Sequence, residues 1–383
     1  MKADIIIKNG HIFDPAAGID MHGNVIINKK QIVKLTETIT EGEYEAVREI
    51  DAGGRMVIPG LIDAHTHINY LGQANGAPAD LLCIPNGVTA AIDAGSTGVS
   101  NYKGLLHCLS QHEIKTKIML NVSAGGIIMP TWYPEPLDPE CWDTDWFDEA
   151  FENFRREIIG LKIRVSRNVL GSLGVKPLEA ALKLAERYNT RVIVHLTDPI
   201  LPIGALADMM RSGDILTHIH HGKGETILKN GTIDKRVLDA QKRGVIMDCA
   251  NGKFNISLEV ARRAIEEKFF PDSISSDLNI SNWCSPWVFS LPIVMSKYLA
   301  LGMTVKQIVE RVTAAPALQM GEEKNLGTLR EGTSADITIL ELIEKKTEFK
   351  DIFGGSICGT QLFMPRAAIL DGKIRFLSSE MYA

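Results

Sequence analysis

Short runs of β-branched and other apolar residues open the chain: ADIIIKNG, GNVIINKKQIVKL and AVREIDAGG each have the length and composition of a strand. The dipeptides Asn9-Gly10 and Gly53-Gly54 punctuate them as turns. The C-terminal part reads the same way, with LGTLREGTSADITILEL followed by RAAILDGKIRFL around an Asp371-Gly372 turn. Neither terminal set has enough strands for a stable sheet of its own, so the two are expected to meet. That predicts one small β-domain, a sandwich, built from residues 1–56 and 321–383.

Between them the period changes. Across residues 57–320 short apolar runs alternate with amphipathic stretches such as KPLEAALKLAERYN and DKRVLDAQKRG, the pattern of βαβ units and a parallel sheet. The candidate strands are MVIPGLIDAH, GVTAAIDAG, KIMLNVS, IIGLKIRVS, RVIVHLT, GDILTHIH, GVIMDCA and SISSD. Eight such strands over a stretch of the usual size, about 250 residues, predict a (β/α)8 barrel. A doubly wound open sheet is disfavoured because no GxGxxG turn follows the first strand.

Composition narrows the function. Apolar residues make up 45% and charged residues 23% of the 383, ordinary globular usage that argues against disorder. A net charge of −6 argues against a nucleic-acid partner. No apolar run reaches the length of a signal core or a membrane span, so a membrane location is not expected. The six cysteines (Cys83, Cys108, Cys141, Cys249, Cys284, Cys358) form no CxxC pair and read as reduced thiols of a cytoplasmic protein.

In such a barrel the strand C-termini face the active site, and the polar residues there are informative. His65-Thr66-His67 ends strand 1, and residues two apart on a strand point the same way. Lys162 occupies an inward position of strand 4 that is expected to be apolar. His195 ends strand 5, His218 strand 6 and Asp277 strand 8. Imidazoles with a carboxylate form a donor set that suits zinc. A buried lysine cation would repel divalent ions; carbamylation would convert it to a bridging anion, and the plainer alternative is an ion pair with a nearby carboxylate.

The stretch PGLIDAHTH (59–67) resembles the signature of the amidohydrolase superfamily, and GTSADITIL (332–340) is similar to that family's return to its β-domain. The resemblance points to the deacetylase and dihydroorotase-like subgroup. It implies that His65, His67 and Asp277 hold one metal ion and His195 and His218 a second, with a carboxylated Lys162 bridging two zinc ions. It also implies acyl hydrolysis by a metal-bridging hydroxide, with Asp277 as general base and then acid. Single-metal deaminases of the superfamily lack the strand-4 lysine and carry a Glu soon after the strand-5 histidine. Here Leu196, Thr197, Asp198 and Pro199 follow His195.

The expected substrate is a small N-acyl or O-acyl compound; a cyclic amide of the dihydroorotate or hydantoin kind is the alternative, and a non-catalytic scaffold a more distant one. Arg164 shares the inward face of Lys162 and would grip a substrate carboxylate or pair with a barrel neighbour. His220 would line the pocket or support a ligand, while His221 and Lys223 read as solvated loop residues. The five tryptophans fall in two loops, Trp132, Trp142 and Trp146 after strand 3 and Trp283 and Trp287 after strand 8. Trp132 and Trp283 are the candidates for substrate contact, as part of a lid or of a homo-oligomer interface.

Overall fold

The structure, a computed structural model, describes residues 2–129, 133 and 135–381. The chain opens with β1 (Lys2–Asp14), β2 (Ile19–Asn28), β3 (Gln31–Thr36), β4 (Glu45–Asp51) and β5 (Met56–Pro59). The barrel strands follow as β6 (Leu61–Thr66), β7 (Val88–Asp93), β8 (Lys115–Asn121), β9 (Ile158–Arg164), β10 (Arg191–His195) and β11 (Ile215–Thr217). A small hairpin of β12 (Leu228–Lys229) and β13 (Thr232–Ile233) precedes the last regular barrel strand, β14 (Ile246–Asp248). The chain then returns to the terminal sheet through β15 (Ile337–Lys350), β16 (Ser356–Leu370) and β17 (Lys373–Leu377).

The terminal sheet has eight strands from both ends of the chain, in the order β17-β16-β15-β5-β1-β2-β3, with β4 also on β1. Its first strand forks: Lys2–Lys8 pairs with β4, and His11 and Ile12 pair with β5. Asn9-Gly10, read as a turn, is instead a bulge inside the continuous β1, with Asn9 left-handed at φ 54°. Alternate residues of both chain ends (Ile5, Ile7, Val25, Ile27, Val57, Ile337, Ile369) bury one shared aliphatic core. The expected single strand MVIPGLIDAH is two: Gly60 separates β5, in the terminal sheet, from β6, in the barrel.

Seven parallel strands run in chain order from β6 to β14. The eighth, SISSD, departs from expectation, because it forms no regular strand. It closes the ring through isolated bridges, Ser273 to Asp248 and Leu278 to Thr66. Hydroxyls stand in for the missing ladder: Ser273 Oγ and Ser275 Oγ each donate to Asp248 Oδ1 at 2.7 Å, and Ser276 Oγ donates to Asp63. Asp277 then turns left-handed at φ 56°, which ends any strand.

Helices Lys176–Arg187 and Lys235–Lys242 lie where their apolar period places them, and Asp234 caps the second by accepting from Arg236 N. The long hairpin β15–β16 ties the terminal sheet to the barrel: Phe363 N donates to Ser296 Oγ at 3.0 Å, and Leu258 N to Asp351 Oδ2 at 2.7 Å.

Candidate metal centre

The C-terminal ends of the barrel strands bring His65, His67, Lys162, His195, His218 and Asp277 to one place. Donor atoms of His65, His67 and Asp277 all lie within 4.8 Å of one another. The His218 ring stands 5.0 Å from that of His65 and 4.3 Å from that of His195, centroid to centroid. Lys162 passes over Gly95, where a Cβ would stand 2.4 Å from the lysine's own Cβ and Cγ, so no larger residue fits.

The hydrogen bonds around the ring assign the imidazole tautomers. Thr217 gives its one proton to Asp248 Oδ2 (2.8 Å), so His65 Nδ1 must donate to Thr217 Oγ1 across 3.0 Å. His218 Nδ1 donates to the Ala250 carbonyl at 2.9 Å, and His67 Nδ1 meets Ser96 Oγ at 2.9 Å. Each Nδ1 is thus occupied by an outer partner and each Nε2 faces inward, the way metal-ligating histidines are oriented. His65 Nε2, His218 Nε2 and Lys162 Nζ are buried and have no hydrogen-bond partner. Unmet polar atoms converging on one carboxylate are costly unless a cation completes them, so the residues present fit a metal.

Electrostatics agrees. Burial, with the nearby Lys162 ammonium, keeps His65 below its ordinary value, and burial holds His195 and His218 well below theirs, so all three are neutral donors at pH 7. Burial also pushes Lys162 down to about 8. Burial opposes ionisation of Asp277, but the His67 ring and the imidazoles of His218 and His65 outweigh it and keep the carboxylate ionised. Asp277 Oδ2 accepts from Asn255 Nδ2 at 2.7 Å, and Asn255 is held by Thr197 Oγ1 at 2.7 Å.

The centre opens into a cavity of about 340 Å³ lined by His67, Lys162, His195 and Asp277, with Arg164 among the outer residues. The chain belongs to the amidohydrolase family. The family's model matches residues 56–372. A deacetylase of Brucella anthropi is 30% identical over 328 residues, covering 85% of this chain and 81% of that protein. A deacetylase of Enterococcus faecalis is 28% identical and covers 98% and 99%. Among solved structures, a dihydroorotase aligns with TM-score 0.88 at 26% identity, covering 98% of each chain. An adenine deaminase aligns with TM-score 0.87 at 27% identity, covering 97% of this chain and 99% of its own. Like its family, this amidohydrolase is a hydrolase.

Arg164 takes the ion-pair alternative: it lines the cavity, and its Nη1 lies 3.0 Å from Glu135 Oε2. Other expectations need revision. His220 does not line the cavity; it is buried behind it, with Nδ1 2.7 Å from the Tyr298 hydroxyl. His221, expected in solvent, is fully buried, whereas Lys223 is an exposed loop residue as expected, paired with Asp198. Trp132 lies outside the described residues. Trp142, Trp283 and Trp287 pack against the barrel core, and none of them lines the cavity. Trp146 stands in helix Thr144–Asn153, capped by Asp143, so the end of that loop is helical. Sequence reasoning missed Asp248, Ser96 and Asn255. Asp248 had a usable signal, an acid at the end of a barrel strand in GVIMDCA.

Proposed function

We propose that this amidohydrolase cleaves the amide or ester bond of a small N-acyl or O-acyl compound, in the manner of a deacetylase, at a centre of two zinc ions. The observation that carries this reading is the convergence of the unpartnered Nε2 atoms of His65 and His218 and Nζ of Lys162 around Asp277, at the floor of an open cavity. His65, His67 and Asp277 would hold one ion and His195 and His218 the other. Lys162, whose burial favours the neutral amine, would add CO2 to form a carbamate and lose one proton, giving an anion between the two. Bound ions would supply a water of lowered pKa and polarise the substrate carbonyl.

The chain's own residues do the rest. Asp277 accepts the proton of the attacking water and delivers it to the leaving nitrogen or oxygen as the acyl bond breaks. Asn255 fixes one oxygen of that carboxylate and leaves the other facing the histidines. Thr217 and the Ala250 carbonyl keep His65 and His218 in the ligating tautomer, and Ser96 Oγ orients the His67 ring through Nδ1.

The test is turnover by zinc-loaded protein across N-acetyl amino acids, O-acetyl hydroxy acids, dihydroorotate, hydantoins and adenine. Hydrolysis of the open-chain acyl compounds is expected, with Asp277→Asn losing about a thousandfold or more in kcat while keeping its fold. Preference for the cyclic amides would move the assignment to a cyclic amidase, and release of ammonia from adenine to a deaminase. Near-wild-type turnover in Asp277→Asn would refute the role of that carboxylate.

A further inference from the structure

The charges lining the cavity do not balance evenly. Four cations face it, Lys162, Arg164, Lys223 and Lys253. Lys162 belongs to the metal centre. Arg164 is neutralised by the buried Glu135, and Lys223 by Asp198 at 3.1 Å. Outside the metal centre, Lys253 is the cavity cation with no carboxylate within ion-pair distance among the described residues; its ammonium rests 5.1 Å from the centroid of the Phe254 ring. Phe254 is 59% exposed, so a large ring is left at the mouth beside that charge.

The segment that carries Lys253 is tied to the catalytic carboxylate on both sides. Upstream, Asn251 N donates to Ser275 O and Gly252 N to Ser276 O, each at 3.0 Å, along the segment that ends in Asp277. Gly252 is left-handed at φ 49°, and a Cβ there would stand 2.4 Å from Asp277 Oδ2. Downstream, Asn255 donates to that same oxygen. The backbone of Lys253 is therefore held at a set distance from the scissile position, while its side chain reaches the cavity. Amides of Asn75, Asn279 and Asn282 line the same space without adding charge.

We propose that Lys253 is the specificity-determining residue of this site and binds a carboxylate on the substrate, distal to the acyl bond. The substrate class is then an acylated acid with one free carboxylate, an N-acyl amino acid or an O-acyl hydroxy acid, whose side chain lies against Phe254. This rests on the hydrolase reading above, and it moves the carboxylate contact from the already paired Arg164 to Lys253. An ammonium–carboxylate contact in a partly desolvated cavity favours the acid over its neutral amide by about ten- to a hundredfold.

The test compares each acylated acid with its primary amide, in the metal-loaded protein and in Lys253→Met and Lys253→Glu. The wild type is expected to favour the acids by about tenfold or more in kcat/KM, chiefly through KM. Lys253→Met should remove that preference by lowering kcat/KM for the acids far more than for the amides, and Lys253→Glu should reverse it. The same pairs titrated calorimetrically into zinc-loaded Asp277→Asn protein report binding without turnover. An acid preference in binding that Lys253→Met abolishes supports the proposal even if the wild type hydrolyses neither compound, which would count against the hydrolase reading alone. An acid-to-amide ratio that is equal in wild type and Lys253→Met, in both assays, overturns it.

Discussion

The terminal sheet and the mouth of the barrel treat burial in opposite ways. The sheet buries aliphatic side chains from both chain ends in one core; its buried Asp14 accepts from Thr328 and Leu329, and other charges form pairs such as Lys8–Glu49 and Arg55–Glu341. The mouth buries histidines, a lysine and carboxylates, and leaves His65 Nε2, His218 Nε2 and Lys162 Nζ without partners. The mouth gives up stability that the sheet's aliphatic core supplies. Buried polar atoms without partners destabilise a fold, and their grouping at the strand C-termini is what separates a site from a core.

Breaking the sheet should therefore cost stability without touching chemistry. Ile27 is fully buried in the shared core, and Ile27→Ala is expected to lower the unfolding free energy by about 3 kcal/mol. Denaturant titration measures the loss, and kcat and KM of the folded fraction should stay at wild-type values. A changed kcat would mean that the two regions are coupled.

Relieving the mouth should do the reverse. Lys162 has its pKa pushed down to about 8 from 10.5 in the folded protein, a penalty of roughly 3 kcal/mol when the unfolded chain is the reference. Lys162→Met is expected to stabilise the metal-free protein by about 2 kcal/mol near pH 7 and to abolish hydrolysis. The sign follows from linkage: a depressed lysine pKa leaves the full penalty in place below pH 8. The advantage of the methionine variant should fade as pH rises from about 8 towards 10.5. A metal-free Lys162→Met protein less stable than wild type would place that lysine in the scaffold.

Much of this contrast was legible in the chain. The two-residue period of a strand put His65 and His67 on one face, and Lys162 stood out because an inward barrel position is ordinarily apolar. What was not legible depends on long-range partners. Glu135, which neutralises Arg164, lies in a loop with no periodic signal. SISSD has the length of a strand but closes the ring through serine hydroxyls on Asp63 and Asp248, acids contributed by two other strands. Asn9-Gly10 has the composition of a turn, and only the pairing of β1 with β2 on both sides of it makes it a bulge. The burial of His221 and the retreat of His220 onto Tyr298 likewise follow from packing that no local pattern encodes.

The central claim is that the unpartnered atoms at the mouth exist to hold metal. Elemental analysis of protein purified without chelator tests it most directly. About two zinc ions per chain are expected in the wild type and one or none in Lys162→Met, with the fold retained in both. Wild-type protein that binds no divalent metal, even after incubation with excess zinc, would contradict it.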